Sequence, residues 1–493
     1  MTDHAPFPDP VYRDAVLAPL FEGVRAHYAA HMDAVDRAHL VMLAETGILT
    51  GADAAAIAGA LRAVGTDADR AAMAYTGEHE DWFFLVQARL HERLGDLGGA
   101  LHTARSRNDI DHTVFKMALR ERVAGLLGDV HALAQTMLEV AEREKGTLVV
   151  AYTHGQPAQP TTWGHYLCAA VEVLLRDAHR LCEASDLLEL CPMGAAAITT
   201  TGFPIDRARV AHLLGFERPM VNSYGCIASV DYVTGLYSAL KLPFVHLGRV
   251  VQDMAFWSAF EVGQLRLPDA LVQVSSIMPQ KRNPVPIEHM RHLAAMTAGR
   301  CDAMVDAMRN TPFTDMNDSE GEVQAAGYAA FEGGARMLRL MAAVLRGARI
   351  DGDRVRANAD AACATVTELA DTLVRREGLT FRQAHGVAAA TARAAIAAGG
   401  GLGGGFDAFR AAFREAAGRA PALDAAGYAE AVSPDAFVLR RDRLGGPAPV
   451  ALAEALARYH EDLAFLRAAS RARTDRHAAA DADRAAAFAA LEG

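Results

Sequence analysis

The chain has 493 residues, 51% hydrophobic and 22% charged, a composition that excludes a fibrous or wholly disordered protein. Its 49 basic and 60 acidic side chains leave a net charge of −11, which argues against a general nucleic-acid or anionic-membrane partner. An anionic substrate stays possible, because a local pocket can be basic on an acidic protein. At roughly 150 residues per domain, the length suggests about three domains. The opening Met1–Pro10 carries acids and prolines where a leader needs cations and an apolar core, and no apolar run reaches membrane-spanning length. Cytoplasmic localisation is therefore expected. Cys168, Cys182, Cys191, Cys226, Cys301 and Cys363 form no CxxC pair and read as reduced thiols of a core or helix face.

Along the chain, a helical N-terminal domain is expected over residues 1–101. The strongest periodicity runs from Met117 to Gly146, where Leu119, Val123, Leu126, Val130, Leu133, Met137 and Val140 recur at steps of four and three. That stripe predicts a long helix packed along another. Similar helices are expected over Thr161–Leu187, Asp231–Gln264 (kinked or broken at Pro243) and Ile287–Asn310. Four long helices predict an elongated central bundle over residues 102–350. A C-terminal helical domain and tail follow over 351–493. Within it Gly399–Gly405 reads as a linker, since no Lys-Ser/Thr follows to make a phosphate loop, and residues after Ala469 read as a solvated helix or frayed tail. The fold class is all-α.

Three polar clusters interrupt this pattern. His102-Thr-Ala-Arg-Ser-Arg-Asn-Asp109 precedes the heptad helix; it reads either as an N-cap with solvated charge or as a carboxylate site built from cationic forks and amide donors. Tyr152-Thr-His-Gly-Gln-Pro-Ala-Gln-Pro160 places His154 in a Gly/Pro-bounded turn, as a general acid or base or as an ordinary loop histidine. Ser275-Ser-Ile-Met-Pro-Gln-Lys-Arg-Asn-Pro284, with Glu288 beyond it, is the densest in catalytic residue types. His289 and His292 read as a polar helix face, and no metal motif such as HExxH occurs.

The last cluster matches, at every fixed position, the fumarase/aspartase superfamily signature Ser-Ser-x-Met-Pro-x-Lys-x-Asn-Pro. The first two resemble the argininosuccinate lyase branch. So do Phe203-Pro-Ile-Asp-Arg207, Leu213-Leu-Gly-Phe216, Asn222-Ser223, Leu369-Ala-Asp371 and Gly445-Gly-Pro-Ala-Pro449. The resemblance implies a lyase that cleaves a bond β to a carboxylate and releases fumarate through an aci-carboxylate, with no metal or organic cofactor. By the same carry-over Ser275 is the base, Ser276 assists, and Lys281 and Asn283 hold the carboxylate that accumulates charge. His154, paired with Glu288, serves the leaving side. Ser106, Arg107, Asn108 and Thr153 hold the succinyl carboxylates, with Gln156 and Asp81 completing the substrate-binding set. The family is also homotetrameric, its long helices forming a shared core and each site drawing on three subunits.

The match departs on the amine side. Asp81-Trp-Phe-Phe-Leu-Val-Gln87 keeps only the aspartate of the branch's Asp-Ile-His-x-x-x-Glu, and Tyr224-Gly225 and Val230-Asp231 replace an aspartate and an Arg-Asp pair. In Phe313-Thr-Asp-Met-Asn-Asp-Ser-Glu-Gly-Glu-Val-Gln324 the branch's Tyr, Gln and Lys become Asp315, Glu320 and Val323, and no Ser/Asp pocket pair stands out in Phe21–Leu40. A cation has gone and acids have come in beside it, a change that suits an amine and repels the carboxylate of arginine. The expected activity is elimination of fumarate from an N-substituted aspartate, or the reverse addition, with an amine other than arginine. Argininosuccinate itself is the alternative substrate. A non-catalytic structural relative is a third reading, against which the joint presence of Ser275, His154, Lys281 and Glu288 stands.

Overall fold

A computed structural model describes residues 7–65 and 72–493; most of the opening stretch read above for a leader, residues 1–6, lies outside them. The helices that matter for the site are α1 (Ala18–His27), α2 (Ala29–Glu45), α3 (Gly51–Val64), α4 (Trp82–Leu94) and α5 (Arg107–Arg143). A hairpin of β1 (Leu148–Thr153) and β2 (Gln156–Thr162) leads into α6 (Trp163–Ser185) and α7 (Asp231–Ser258). The two-residue strands β3 (Gln273–Val274) and β4 (Arg282–Asn283) precede α8 (Val285–Ala307) and α9 (Gly321–Gly347), and α10 (Pro449–Ala489) ends the chain. Among the described residues, no helix is long and apolar enough to cross a membrane.

Five helices close a ring in which α5 packs on α6, α6 on α7, α7 on α8, α8 on α9 and α9 back on α5. At 37 residues, α5 is about 55 Å long. It begins ten residues before the heptad stripe, where Ser106 and Asp109 cap it. The expected helix over Asp231–Gln264 stops at Ser258 but runs unbroken through the buried Pro243. Beyond it, Gln264 acts as a strand partner instead: its amide accepts from the Val150 N–H at 3.1 Å and donates to the Val150 carbonyl at 3.2 Å. This ties the hairpin to the bundle.

The ring's fifth member, α9, went unpredicted because Gly327, Gly333 and Gly334 weaken its helical signal. Those glycines allow close approach. A Cβ at Gly327 would overlap the Tyr237 hydroxyl, and one at Gly334 the Phe244 ring, both on α7. Gly327→Ala gains about 1 kcal/mol in helix propensity and loses about 3 kcal/mol to overpacking, a net destabilisation of about 2 kcal/mol. A lowered midpoint in thermal unfolding is the expected reading; an unchanged or raised midpoint would contradict this packing.

The main core is continuous from Phe21 in the N-terminal helices through Leu345, and it takes in Leu452, Leu456, Leu463, Leu466 and Phe488 of α10. The tail is therefore neither frayed nor merely solvated. Phe488 is buried, with the Arg37 guanidinium 4.7 Å and that of Arg62 5.8 Å from its ring centre. A second core, built on Leu369, Leu373, Phe409, Phe413 and Tyr428, holds the short helices between Gly352 and Leu439. Val355, Ala359 and Val438 then pack against Leu148 and Val150, so this unit buttresses the β1–β2 hairpin. All six cysteines are free thiols; five are buried and Cys182 is half-buried.

Candidate active site

The three polar clusters occupy three separate places on one chain. At the start of α5, the Ser106 N–H donates to Asp109 Oδ1 at 2.9 Å, the Ser106 hydroxyl to Asn108 Oδ1 at 3.2 Å, and the Asn108 amide to the Ala197 carbonyl at 3.1 Å. Arg107 turns the other way. Its Nη1 donates to Asp81 Oδ2 at 2.6 Å and to Glu80 Oε1 at 3.1 Å, and its guanidinium lies 5.1 Å from the Phe84 ring centre. Asp81 is held in turn as the N-cap of α4, accepting from the Phe84 N–H at 2.9 Å. Burial works against the Arg107 charge, but Asp81 and Glu80 more than offset it, so its pKa is raised.

Beside this pair lies a cavity of about 90 Å³ whose wall includes Asp81, Arg107, Asp111 and Glu320 together with Tyr28, Trp82 and Phe115. Asp111, one helical turn after Arg107, makes no hydrogen bond or ion pair among the described residues. Its burial, reinforced by the charges of Glu320 and Asp81, pushes its carboxyl well above the usual range. Burial also raises Glu320, with Asp315 adding to the effect, and raises Asp315, with Arg107 opposing. Glu320 thus lines the cavity, and Asp315 stands close enough to feel Arg107. The arrangement is a small, aromatic-walled, acidic recess with one arginine at its edge. Chemically it suits a cationic group and disfavours a carboxylate.

His154 and Gly155 form the hairpin tip, both left-handed at φ 53° and 73°, with Thr153 opposite Gln156. A two-residue turn of this kind follows the twist of the strands, and Gly155 adopts it without a Cβ penalty. Thr153, His154 and Gln156 are consequently presented to solvent together. The third cluster is a second hairpin, with Gln273 opposite Asn283 and Val274 opposite Arg282. Arg282 anchors its base through Asp269 and, at 2.9 Å, the Leu267 carbonyl. Ser275 Oγ accepts from the Met278 N–H at 3.2 Å and from the Ile277 N–H at 3.4 Å. Ser276, Lys281 and Glu288 are exposed and Asn283 is half-buried. Among the described residues no hydrogen bond or ion pair joins the three groups, so His154 and Glu288 do not meet within one chain. His289 and His292 are exposed and hydrogen-bonded to each other at 2.9 Å, a polar face.

Sequence reading missed Tyr28, Glu80 and Asp111. Asp111 carried a usable signal, its i,i+4 spacing from Arg107, which places both on one helix face. Tyr28 lies within Phe21–Leu40, the stretch searched only for a serine and an aspartate.

Comparison with known proteins identifies the family. Residues 23–299 match the lyase family, and residues 363–438 the argininosuccinate lyase C-terminal family. Argininosuccinate lyase 2 of Agrobacterium fabrum is 53% identical over 494 residues, covering 100% of this chain and 98% of that protein. Argininosuccinate lyase of Hyphomonas neptunium is 40% identical over 352 residues, 71% of this chain and 75% of that one. EDDS lyase, solved as a variant with bound fumarate and in complex with formate, superposes with a TM-score of 0.82 at 28% identity, covering 98% of this chain and 96% of its own. The chain belongs to the argininosuccinate lyase branch of the fumarase/aspartase superfamily, and is a carbon–nitrogen lyase that releases fumarate.

Proposed function

We propose that the protein eliminates fumarate from an N-substituted aspartate whose amine is not arginine, or runs the reverse addition. The observation that carries this reading is the recess lined by Asp81, Asp111 and Glu320, with Arg107 at its edge already paired to Asp81. An arginine leaving group would bring its own carboxylate to that wall; a plain amine or diamine brings only positive charge.

In the proposed mechanism Ser275 is the base. Two backbone N–H groups already converge on its Oγ, and donors of this kind favour the ionised form. Ser275 takes the proton from the carbon next to the substrate carboxylate, and the electron pair moves into that carboxylate. Lys281 and Asn283 stabilise the resulting dianion, with Ser276 assisting. As the pair returns, the C–N bond breaks, the amine leaves with a proton supplied from the side of His154 and Glu288, and fumarate remains. Ser106, Asn108, Thr153 and Gln156 hold the succinyl carboxylates. Arg107 contributes through Nε and Nη2, since its bonds to Asp81 and Glu80 both use Nη1. The separation of the three clusters on one chain supports assembly as a homotetramer, with each site drawn from three subunits.

The test is fumarate release, followed by ultraviolet absorbance, from argininosuccinate and from a panel of N-substituted aspartates, with fumarate plus amines run in reverse. Turnover of the panel without argininosuccinate is the expected result. A second reading, argininosuccinate lyase proper, is favoured by the 53% identity to a protein bearing that name. Efficient turnover of argininosuccinate alone would establish it.

A further inference from the structure

Asp109 is buried, ionisable and unused by the mechanism above. Its Oδ1 accepts the Ser106 N–H at 2.9 Å, and its Oδ2 accepts two further N–H groups, from Gly194 and Ala196, each at 2.9 Å. The second pair belongs to a loop that needs holding. Gly194, Ala196 and Thr200 all have positive φ, 86°, 50° and 62°, a costly conformation for the alanine and the threonine. Other ties in the loop are the Thr200 hydroxyl to the Gly194 carbonyl at 2.8 Å and the Arg207 Nε to the Met193 carbonyl at 2.9 Å. Among the described residues, only the carboxylate of Asp109 and the amide of Asn108, which reaches the Ala197 carbonyl, hydrogen-bond the loop to the start of α5.

We infer that Asp109 is a positioning residue: its carboxylate clamps the strained Gly194–Thr200 loop against the Ser106–Asn108 turn and so sets the shape of the succinyl-carboxylate subsite. This rests on the reading that Ser106 and Asn108 hold that carboxylate. A carboxylate is the right group for the task because it offers acceptors in two directions at once, one oxygen to the helix cap and the other to the loop. The neutral amide of asparagine keeps only one acceptor and turns an NH₂ towards N–H donors on the other side.

Two measurements on the full-length protein test the clamp. In the wild type, backbone hydrogen exchange at Gly194 and Ala196 should run about a hundredfold or more slower than at the exposed Thr199, since buried bonded N–H groups exchange only on opening. Equal rates would overturn the proposal without any variant. In Asp109→Asn, exchange across residues 194–200 should accelerate and KM for the aspartate substrate should rise about tenfold, as expected for loss of a charge-assisted bond, with kcat at saturation changing less. Asp424→Asn, which removes a helix cap remote from the site, should lower the melting temperature without moving KM. Unchanged loop exchange in Asp109→Asn, or a KM that moves no more than in Asp424→Asn, would also overturn it. A wild-type protein that neither binds nor releases fumarate would sink the functional reading instead, and the exchange comparison would still decide what Asp109 does to the loop.

Discussion

Ser275→Ala should reduce fumarate release by about 10³-fold, within the range by which a positioned general base accelerates a reaction, while leaving thermal unfolding unchanged. The two halves of this result have separate causes. On the proposed mechanism, the activity falls because the base is lost. The stability holds because Ser275 is only half-buried, on a short hairpin whose base is fixed by Arg282. The N–H groups of Ile277 and Met278 that now meet Ser275 Oγ belong to exposed residues and can turn to water at little cost. Steady-state kinetics beside a melting curve make the comparison. Turnover within about tenfold of wild type would remove Ser275 from the role of base.

Asp111→Asn should make the protein more stable and a worse enzyme. The Asp111 carboxyl sits in the recess with Glu320 and Asp81 and gains no hydrogen bond or ion pair among the described residues. Its folded pKa is raised above the unfolded value of 3.8. The folded state therefore binds the proton more tightly than the unfolded chain does. The cost of the charge is present in full above the folded pKa and disappears as pH falls towards the unfolded one. Replacing the carboxyl by an isosteric amide should contribute about 1–3 kcal/mol at pH 8, with the gain shrinking at acid pH. On the proposed reading this wall meets the amine, so above the Asp111 pKa the same change removes a negative charge there, and KM for a cationic amine in the reverse reaction should rise about tenfold. Melting temperatures at two pH values, together with amine saturation curves, are the measurements. A variant less stable at pH 8, with unaltered amine saturation, would show that Asp111 faces neither vacancy nor substrate.

Much of this was readable along the chain. The helix α5 was legible because its apolar stripe repeats over several heptads, and local periodicity is what a helix needs to declare itself. The Ser275–Pro284 signature was legible because its residues are consecutive and travel together on one hairpin. The helix α9 was not, since its glycines look like breakers until Tyr237 and Phe244 are seen lying against them. The early end of α7 was hidden in the same way: Gln264 extends a helical pattern on paper but spends its amide on Val150 in the fold. The recess was partly legible. Asp315 and Glu320 stood out as acids where the branch has a tyrosine and a glutamine, yet their meaning depends on Asp81 and Arg107, more than two hundred residues earlier. Asp111 acquires its character only from that company.

The docking of α10 bears on the order in which the molecule can be completed. Helices α2 and α3 emerge early in synthesis, but the surfaces around Arg37 and Arg62 are covered by Phe488, and Arg62 also pairs with Glu492. Those contacts join residues separated by more than four hundred positions, so their loop-closure entropy is met last. Until then the nascent chain carries an uncovered apolar seam along α2, α5 and α6, where α10 will lie. A ribosome stalled shortly before the last helix would thus expose a sticky, nearly finished bundle, a substrate for chaperones rather than for assembly.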